Sequence, residues 1–265
     1  MGQSIIQVNA FTNRPFTGNP AAVCILPNSR EDRWMQQIAK EMNLPETAFL
    51  YEQPGGYRLR WFTPLEEEDL CGHATLATAH VLWEQERADP AQTLYFHTKS
   101  GLLTAHREGE WIVLDFPAEP IRLLPEIPAA LKDRYGDIIK RAGSNRLDHF
   151  LELESETEVR RFNPEKALGT LPIHRGLIVS SQGDQGPYDI VSRFFAPNHG
   201  ISEDPVTGSA HCALGPYWTE LLAKDELLAF QASERGGTLR VRNRGNRVQL
   251  LGQAVTVWRG ELAKA

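Results

Sequence analysis

The apolar residues of this chain fall into many short runs and a few longer helical stretches. Residues 5–11, Ile-Ile-Gln-Val-Asn-Ala-Phe, predict a strand, and residues 21–26, Ala-Ala-Val-Cys-Ile-Leu, predict a second that is apolar on both faces and therefore buried. The turn signal Phe16-Thr17-Gly18-Asn19-Pro20 between them predicts a hairpin. Trp34, Met35, Ile38, Ala39 and Met42 recur at helical spacing, with Ser29 as the expected N-cap and Asn43 with Pro45 as the stop. Glu46 then falls on a helix-to-strand connection, followed by strands at residues 47–51 and 57–62, the second strictly alternating between polar and apolar. From Gly72 the chain is rich in small residues, with Ala74, Leu76, Ala77, Ala79 and Leu82 predicting a helix apolar nearly all round and so central in its domain. Three strands at residues 94–98, 102–106 and 111–116, separated by Gly-containing turns, complete a meander.

Pro117, Pro120, Pro125 and Pro128 crowd into the segment that follows, which marks a domain boundary and divides the chain into residues 1–118 and 119–265. The second half repeats the order of the first. Gly72, Gly101 and Gly109 recur as Gly208, Gly237 and Gly245, each 136 positions on, and Ala74, Leu103 and Leu114 meet Ala210, Leu239 and Leu250 at the same spacing. Gly208-Ser209-Ala210 opens a second small-residue helix running toward Leu221. The expected architecture is two copies of strands, central helix and meander, facing each other across a cleft.

Composition narrows the function classes. With 265 residues, 41% hydrophobic and 23% charged, the chain can bury two ordinary cores. A formal net charge of −6 with scattered Lys and Arg gives no basic field for nucleic acid. No stretch approaches the roughly 20 apolar residues of a membrane span, and the opening residues carry no signal-peptide pattern, so the cytoplasm is the expected location. Cys24, Cys71 and Cys212 are too few for a disulfide framework and form no Cys-x-x-Cys pair. Neither a phosphate-binding Gly-x-x-x-x-Gly-Lys loop nor a Gly-x-Ser-x-Gly elbow is present, so a nucleotide cofactor has no support and none is expected.

The remaining chemistry gathers at the two glycine turns. Helices starting at Gly72 and Gly208 would offer unpaired N–H groups and the positive ends of their dipoles to an anion. Close helix packing alone would also explain glycine at either place. Around the turns lie Glu46, Cys71, His73 and Asp204. A carboxylate enclosed in a cleft becomes a base or acid near neutrality, although by spacing alone Glu46 reads as a solvated loop charge. Asp204 reads equally as a helix cap. His73 is an acid, an oxyanion donor or a capped ring, and Cys71 is a low-pKa thiol at a helix start or a small buried residue. Cys71 and His73 lack the usual zinc spacing, so no metal site is expected.

Several of these segments belong together. Val8-Asn9-Ala10-Phe11, Phe16 to Val23, Asn43-Leu44-Pro45-Glu46-Thr47-Ala48-Phe49, Leu59-Arg60-Trp61-Phe62-Thr63-Pro64, Cys71-Gly72-His73-Ala74-Thr75 and Glu203-Asp204-Pro205-Val206-Thr207-Gly208-Ser209-Ala210 resemble the PhzF-like (phenazine biosynthesis-like) family, in order and over most of the chain. The resemblance implies an α+β fold of the diaminopimelate-epimerase-like type, with two pseudo-symmetric domains, each a barrel-like antiparallel or mixed sheet around a central helix. The last few residues would pack on the first half, and the expected assembly is a homodimer. It further implies a cofactor-independent isomerase acting on a small anionic metabolite, similar to a trans-2,3-dihydro-3-hydroxyanthranilate isomerase. Glu46 would take a proton from carbon and return it elsewhere, with His73 and Asp204 as its catalytic partners. Asn19, Cys71, Gly72, Thr207, Gly208 and Ser209 would bind substrate, with Gly72, Gly208 and Ser209 on its carboxylate. The related amino-acid epimerases use a cysteine at each glycine turn. Here Cys71 holds the first such place but Thr207 the second, and threonine is too weak an acid to stand in for a thiolate. An amino-acid epimerase relying on Cys71, or a non-catalytic ligand-binding dimer, are the competing readings.

Overall fold

The computed structural model describes residues 2–168, 175–197 and 201–263. The chain forms two compact units, Met1–Phe116 with Leu251–Ala265, and Pro117–Leu250.

In the first unit β1 (Gln3–Ala10) and β2 (Asn19–Ile25) pair antiparallel, with Val8 opposite Ala21. Gly18 makes the turn between them at φ +71, where an added Cβ would lie 2.3 Å from the Ala10 carbonyl oxygen. Only glycine therefore delivers Asn19 to the start of β2. Helix α1 (Asp32–Met42) starts after Glu31, two positions beyond what Ser29 predicts. Asp32 supplies the negative charge that suits a first turn, and it also pairs with Arg60 at 2.7 Å. The helix ends at Asn43, in the left-handed conformation. Its buried Met35 and Ala39 pack with Ile5, Ala22, Cys24, Leu26, Phe49 and Phe62. Glu46 opens β3 (Glu46–Gln53) and is not on a loop, because β3 runs parallel to β2 with Ala21 opposite Glu46. Strand β4 (Gly56–Phe62) pairs antiparallel with β3, and β5 (Glu67–Glu68) adds to β4. Helix α2 (Gly72–Glu84) has ten buried residues spread round its circumference, as an all-round apolar sequence requires, and it packs on β1, β2 and β3. Strands β6 (Leu94–Thr98), β7 (Gly101–Glu108) and β8 (Trp111–Pro117) form the meander, β6 lying parallel to β4.

The proline-rich segment is not a bare linker. It carries β9 (Arg122–Leu123), α3 (Ala129–Tyr135) and β10 (Ile139–Ser144), and β9 pairs with β10. Then come β11 (Asp148–Leu153), α4 (Glu156–Arg161), α5 (Glu165–Leu168), β12 (Gly176–Gln182), β13 (Ile190–Ala196), β14 (Ile201–Asp204), α6 (Gly208–Leu222), β15 (Glu226–Gln231), β16 (Gly237–Asn243) and β17 (Arg247–Gly252). The last strand, β18 (Ala254–Leu262), pairs antiparallel with β1 and so belongs to the first unit.

Topology carries the internal repeat further than glycine spacing could. Strands β10 to β15 reproduce the pairings of β1 to β6: antiparallel, parallel, antiparallel, antiparallel, then a parallel pairing across the helix. Register makes the equivalence residue by residue. Phe194 faces Asp204 as Trp61 faces Glu68, and Leu177 faces Phe195 as Thr47 faces Phe62. Gly176 thus stands where Glu46 stands, and Asp148, opposite Gly176, stands where Ala21 does.

Candidate active site

Parallel pairing of β2 and β3 brings their first residues, Asn19 and Glu46, to one end of the sheet, and α2 packs its buried face on both strands. His73, the second residue of α2, reaches both. Its Nε2 lies 2.9 Å from Oε2 of Glu46, and its Nδ1 lies 3.2 Å from Nδ2 of Asn19 and 3.6 Å from Sγ of Cys71. The side chains are enclosed: His73 is 6% exposed and Glu46 13%. Neither Nε2 of His73 nor Oε2 of Glu46 makes an aligned hydrogen bond, so their 2.9 Å approach is an ion pair held off the hydrogen-bonding line. Buried polar atoms left in that state are rare and mark places where something else completes them.

Electrostatics assign the protons. Burial works against a charged imidazole, yet the pKa of His73 stands well above its ordinary value, because its close contacts with Cys71 and the Glu46 carboxylate favour the imidazolium. The Cys71 thiol is pushed up to about 11, first by burial and then by the Glu46 charge, so it is protonated at pH 7. This corrects the expectation of a lowered thiol pKa at the start of α2: loss of hydration outweighs the helix dipole, which contributes about 0.3–1 kcal/mol. Cys71 occupies the N-cap position without a side-chain cap bond, and its sulfur faces the histidine.

Glu46, Cys71 and His73 bring ligand atoms within 4.8 Å of one another, the spacing of a metal cluster. Cys71 meets the ring at Nδ1 and Glu46 meets it at Nε2, on different edges. A single ion could take only one of those nitrogens, so the arrangement suits a line of proton donors and acceptors better than a chelate.

In the second unit Asp204 closes β14 and Thr207 is the N-cap residue of α6. Asp204 is not the helix cap. Instead the Thr207 hydroxyl donates to Oδ2 of Asp204, and the fully buried Gln231 locks the turn: its Oε1 accepts from Thr207 N at 2.8 Å, and its Nε2 donates to Asp204 O at 2.7 Å and to Oγ1 of Thr207 at 3.1 Å. Thr207 is thereby committed to orienting a carboxylate. Gly208 and Ser209 are the first two residues of α6, and Ser209 Oγ accepts from Nη2 of Arg175 at 2.8 Å. Deeper in the same helix His211 is fully buried and its pKa falls to about 4 through burial, so it is neutral; its Nδ1 donates to Thr207 O at 2.8 Å. Of the residues singled out in the sequence, Asn19, Glu46, Cys71 and His73 thus lie together in the first unit, and Asp204 with Thr207 in the second. Sequence reasoning missed Arg175, Asp148 and Gln231.

The chain as a whole is similar to known proteins. A family described as phenazine biosynthesis-like protein matches residues 8–260. The chain belongs to that family. Over 99% of both chains it is 54% identical to an uncharacterized isomerase of Halalkalibacterium halodurans. A crystal structure of a PhzF-family phenazine biosynthesis protein from Enterococcus faecalis superposes with a TM-score of 0.92 at 42% identity, covering 99% of each chain. A hydroxyproline epimerase from Agrobacterium vitis, at 10% identity and a TM-score of 0.63 over 98% of this chain and 92% of its own, shares the fold alone. This family member is accordingly an isomerase with the α+β fold of the PhzF and epimerase proteins, and the non-catalytic reading falls away.

Proposed function

We propose that this isomerase moves a proton between two positions on a small, carboxylate-bearing metabolite without a cofactor, with Glu46 as the shuttle. The observation that carries the reading is the enclosed Glu46–His73 pair, 2.9 Å apart and lacking an aligned hydrogen bond. A carboxylate so placed is shielded from bulk water but is not consumed by a structural bond. It can accept a proton as a C–H bond breaks, while the electron pair passes into the substrate's conjugated system. It then gives the proton up as a new C–H bond forms. His73, charged when Glu46 is charged, holds the carboxylate in place and offsets its loss of hydration. Asp204, oriented by Thr207 and Gln231, is assigned the polarising role, and the N–H groups at Gly72 and Gly208 with the Ser209 hydroxyl hold the carboxylate. Asn19 fixes the His73 ring through Nδ1. Epimerisation by Cys71 is disfavoured, since its thiol is protonated and turned to His73 and no second thiol stands at 207. The expected setting is a cytoplasmic homodimer.

The test is solvent exchange. In heavy water, with candidate amino and hydroxy acids and unsaturated cyclic acids, NMR should report deuterium entering at carbon with the wild-type protein. Glu46→Gln should lower that rate by about 10²–10⁴-fold, the usual contribution of one acid–base group. An unchanged rate in the variant would remove Glu46 from the mechanism.

A further inference from the structure

The two units place matching trios at the same point of the repeat, and the trios differ in charge. In the first unit a side chain at the start of β3, Glu46, meets the second residue of α2, His73, which meets the start of β2 at Asn19. In the second unit a side chain just before β12, Arg175, meets the second residue of α6, Ser209, and the first residue of β11, Asp148. Arg175 precedes Gly176, the residue that stands in the place of Glu46. No carboxylate can occupy position 176. A Cβ there would lie 2.4 Å from Cζ of Phe194 and 2.8 Å from the Phe195 carbonyl oxygen. The same Phe194 ring supports the Arg175 guanidinium at 5.4 Å. The second unit has thus replaced a base with a cation.

Arg175 is built to present charge rather than to hold the fold. Asp148 is fully buried and takes two parallel bonds from it, Nε to Oδ1 at 3.0 Å and Nη2 to Oδ2 at 2.6 Å. Asp148 is itself tied by its backbone N–H to Oδ1 of Asn145. Arg175 remains 30% exposed, and among the described residues Nη1 makes no hydrogen bond. By donating Nη2 to Ser209 Oγ, Arg175 also fills a lone pair of that hydroxyl and leaves its O–H to donate outward.

The geometry points to Arg175 as the residue that selects substrates bearing a carboxylate. Its Nη1 edge and the Ser209 hydroxyl take the carboxylate oxygens, with Asp148 as the fixed support. This rests on the carboxylate-bearing substrate proposed above. A fixed guanidinium distinguishes a carboxylate from its amide by charge, which neutral N–H groups at a helix start do weakly.

Calorimetric titration of the full-length protein with 2-aminobenzoate against 2-aminobenzamide, and with L-proline against L-prolinamide, tests this. Wild type should prefer an acid over its amide. Arg175→Gln combined with Asp148→Asn removes both charges, so neither is stranded in the interior. It should weaken binding of that acid by about 10- to 100-fold while leaving the amide unchanged. Arg175→Lys, which still neutralises Asp148 but lacks the planar fork, should fall between and keeps the test alive should the double variant misfold. Equal affinity of wild type and double variant for the acid would overturn the role of Arg175 alone. A wild type that prefers none of the acids over their amides would overturn the carboxylate reading itself, and this proposal with it.

Discussion

The ion pair at the start of α2 makes a quantitative demand on how stability varies with pH. His73 has a pKa raised well above its unfolded value, near 6.5, with burial opposing the shift and its partners at 71 and 46 producing it. A proton held more tightly in the folded state stabilises that state fully below pH 6.5. The contribution is lost as pH rises through the folded value, because the unfolded ring has already released its proton. In that window the folded chain binds one proton more than the unfolded chain, so stability falls by about 1.4 kcal/mol per pH unit from this group. Glu46→Gln keeps the shape and removes the charge. Stranding a buried cation costs about 3–5 kcal/mol in general, but here the ring escapes by deprotonating, so the loss near pH 7 stays below that ceiling. As pH rises above 6.5 the wild type should lose stability relative to the variant, because other titrating groups cancel in the difference. Urea unfolding of both proteins at several pH values, followed by tryptophan fluorescence, gives the two slopes. Nitrogen-15 spectra of the imidazole should show His73 keeping its proton to higher pH in the wild type than in the variant. Parallel stability curves, or a neutral ring in the wild type, would refute the assignment of the proton.

Two further outcomes follow from other buried titratable groups. Cys71, with its thiol pushed up to about 11 by burial and by the Glu46 charge, should resist alkylation by iodoacetamide at pH 8 in the folded protein and react once urea exposes it; rapid native labelling would contradict the assigned protonation. His211 has the opposite sign from His73: its folded pKa, lowered to about 4 by burial, makes stability complete above pH 6.5 and costs about 3 kcal/mol as pH falls to 4. His211→Gln should flatten the acid limb of the stability curve by that amount, and an unchanged limb would show that the ring does not drive acid unfolding.

Much of this was readable from the chain, and the failures have physical causes. The two central helices were visible because their apolar residues surround the axis and glycines punctuate both starts in one register. Glu46 reads as a loop residue because a proline precedes it, but parallel pairing with β2 draws the strand back to include it, a long-range contact with no local signal. Ser29 looks like a cap, yet the helix begins after Glu31, where Asp32 is held by Arg60. The trio of Asp148, Arg175 and Ser209 escaped for a different reason. The repeat spacing is 136 residues at the helices but 130 at Gly176 and 127 at Asp148, since the connections differ in length. A search at one offset cannot find residues that only strand register aligns. Gln231 carried no cue at all: a glutamine inside an apolar strand reveals its purpose only when the turn it secures is in view.

The pairing of β18 with β1 has a consequence for synthesis. A nascent chain makes Gln3–Ala10 well before Ala254–Leu262, the neighbour that covers this edge. Throughout translation the opening strand therefore presents bare amide and carbonyl groups to whatever it meets, an invitation to intermolecular pairing. The first unit needs both Met1–Phe116 and Leu251–Ala265, so a chain truncated before Ala254 is a candidate for chaperone capture or precipitation despite having every residue of the Glu46–His73 constellation in place.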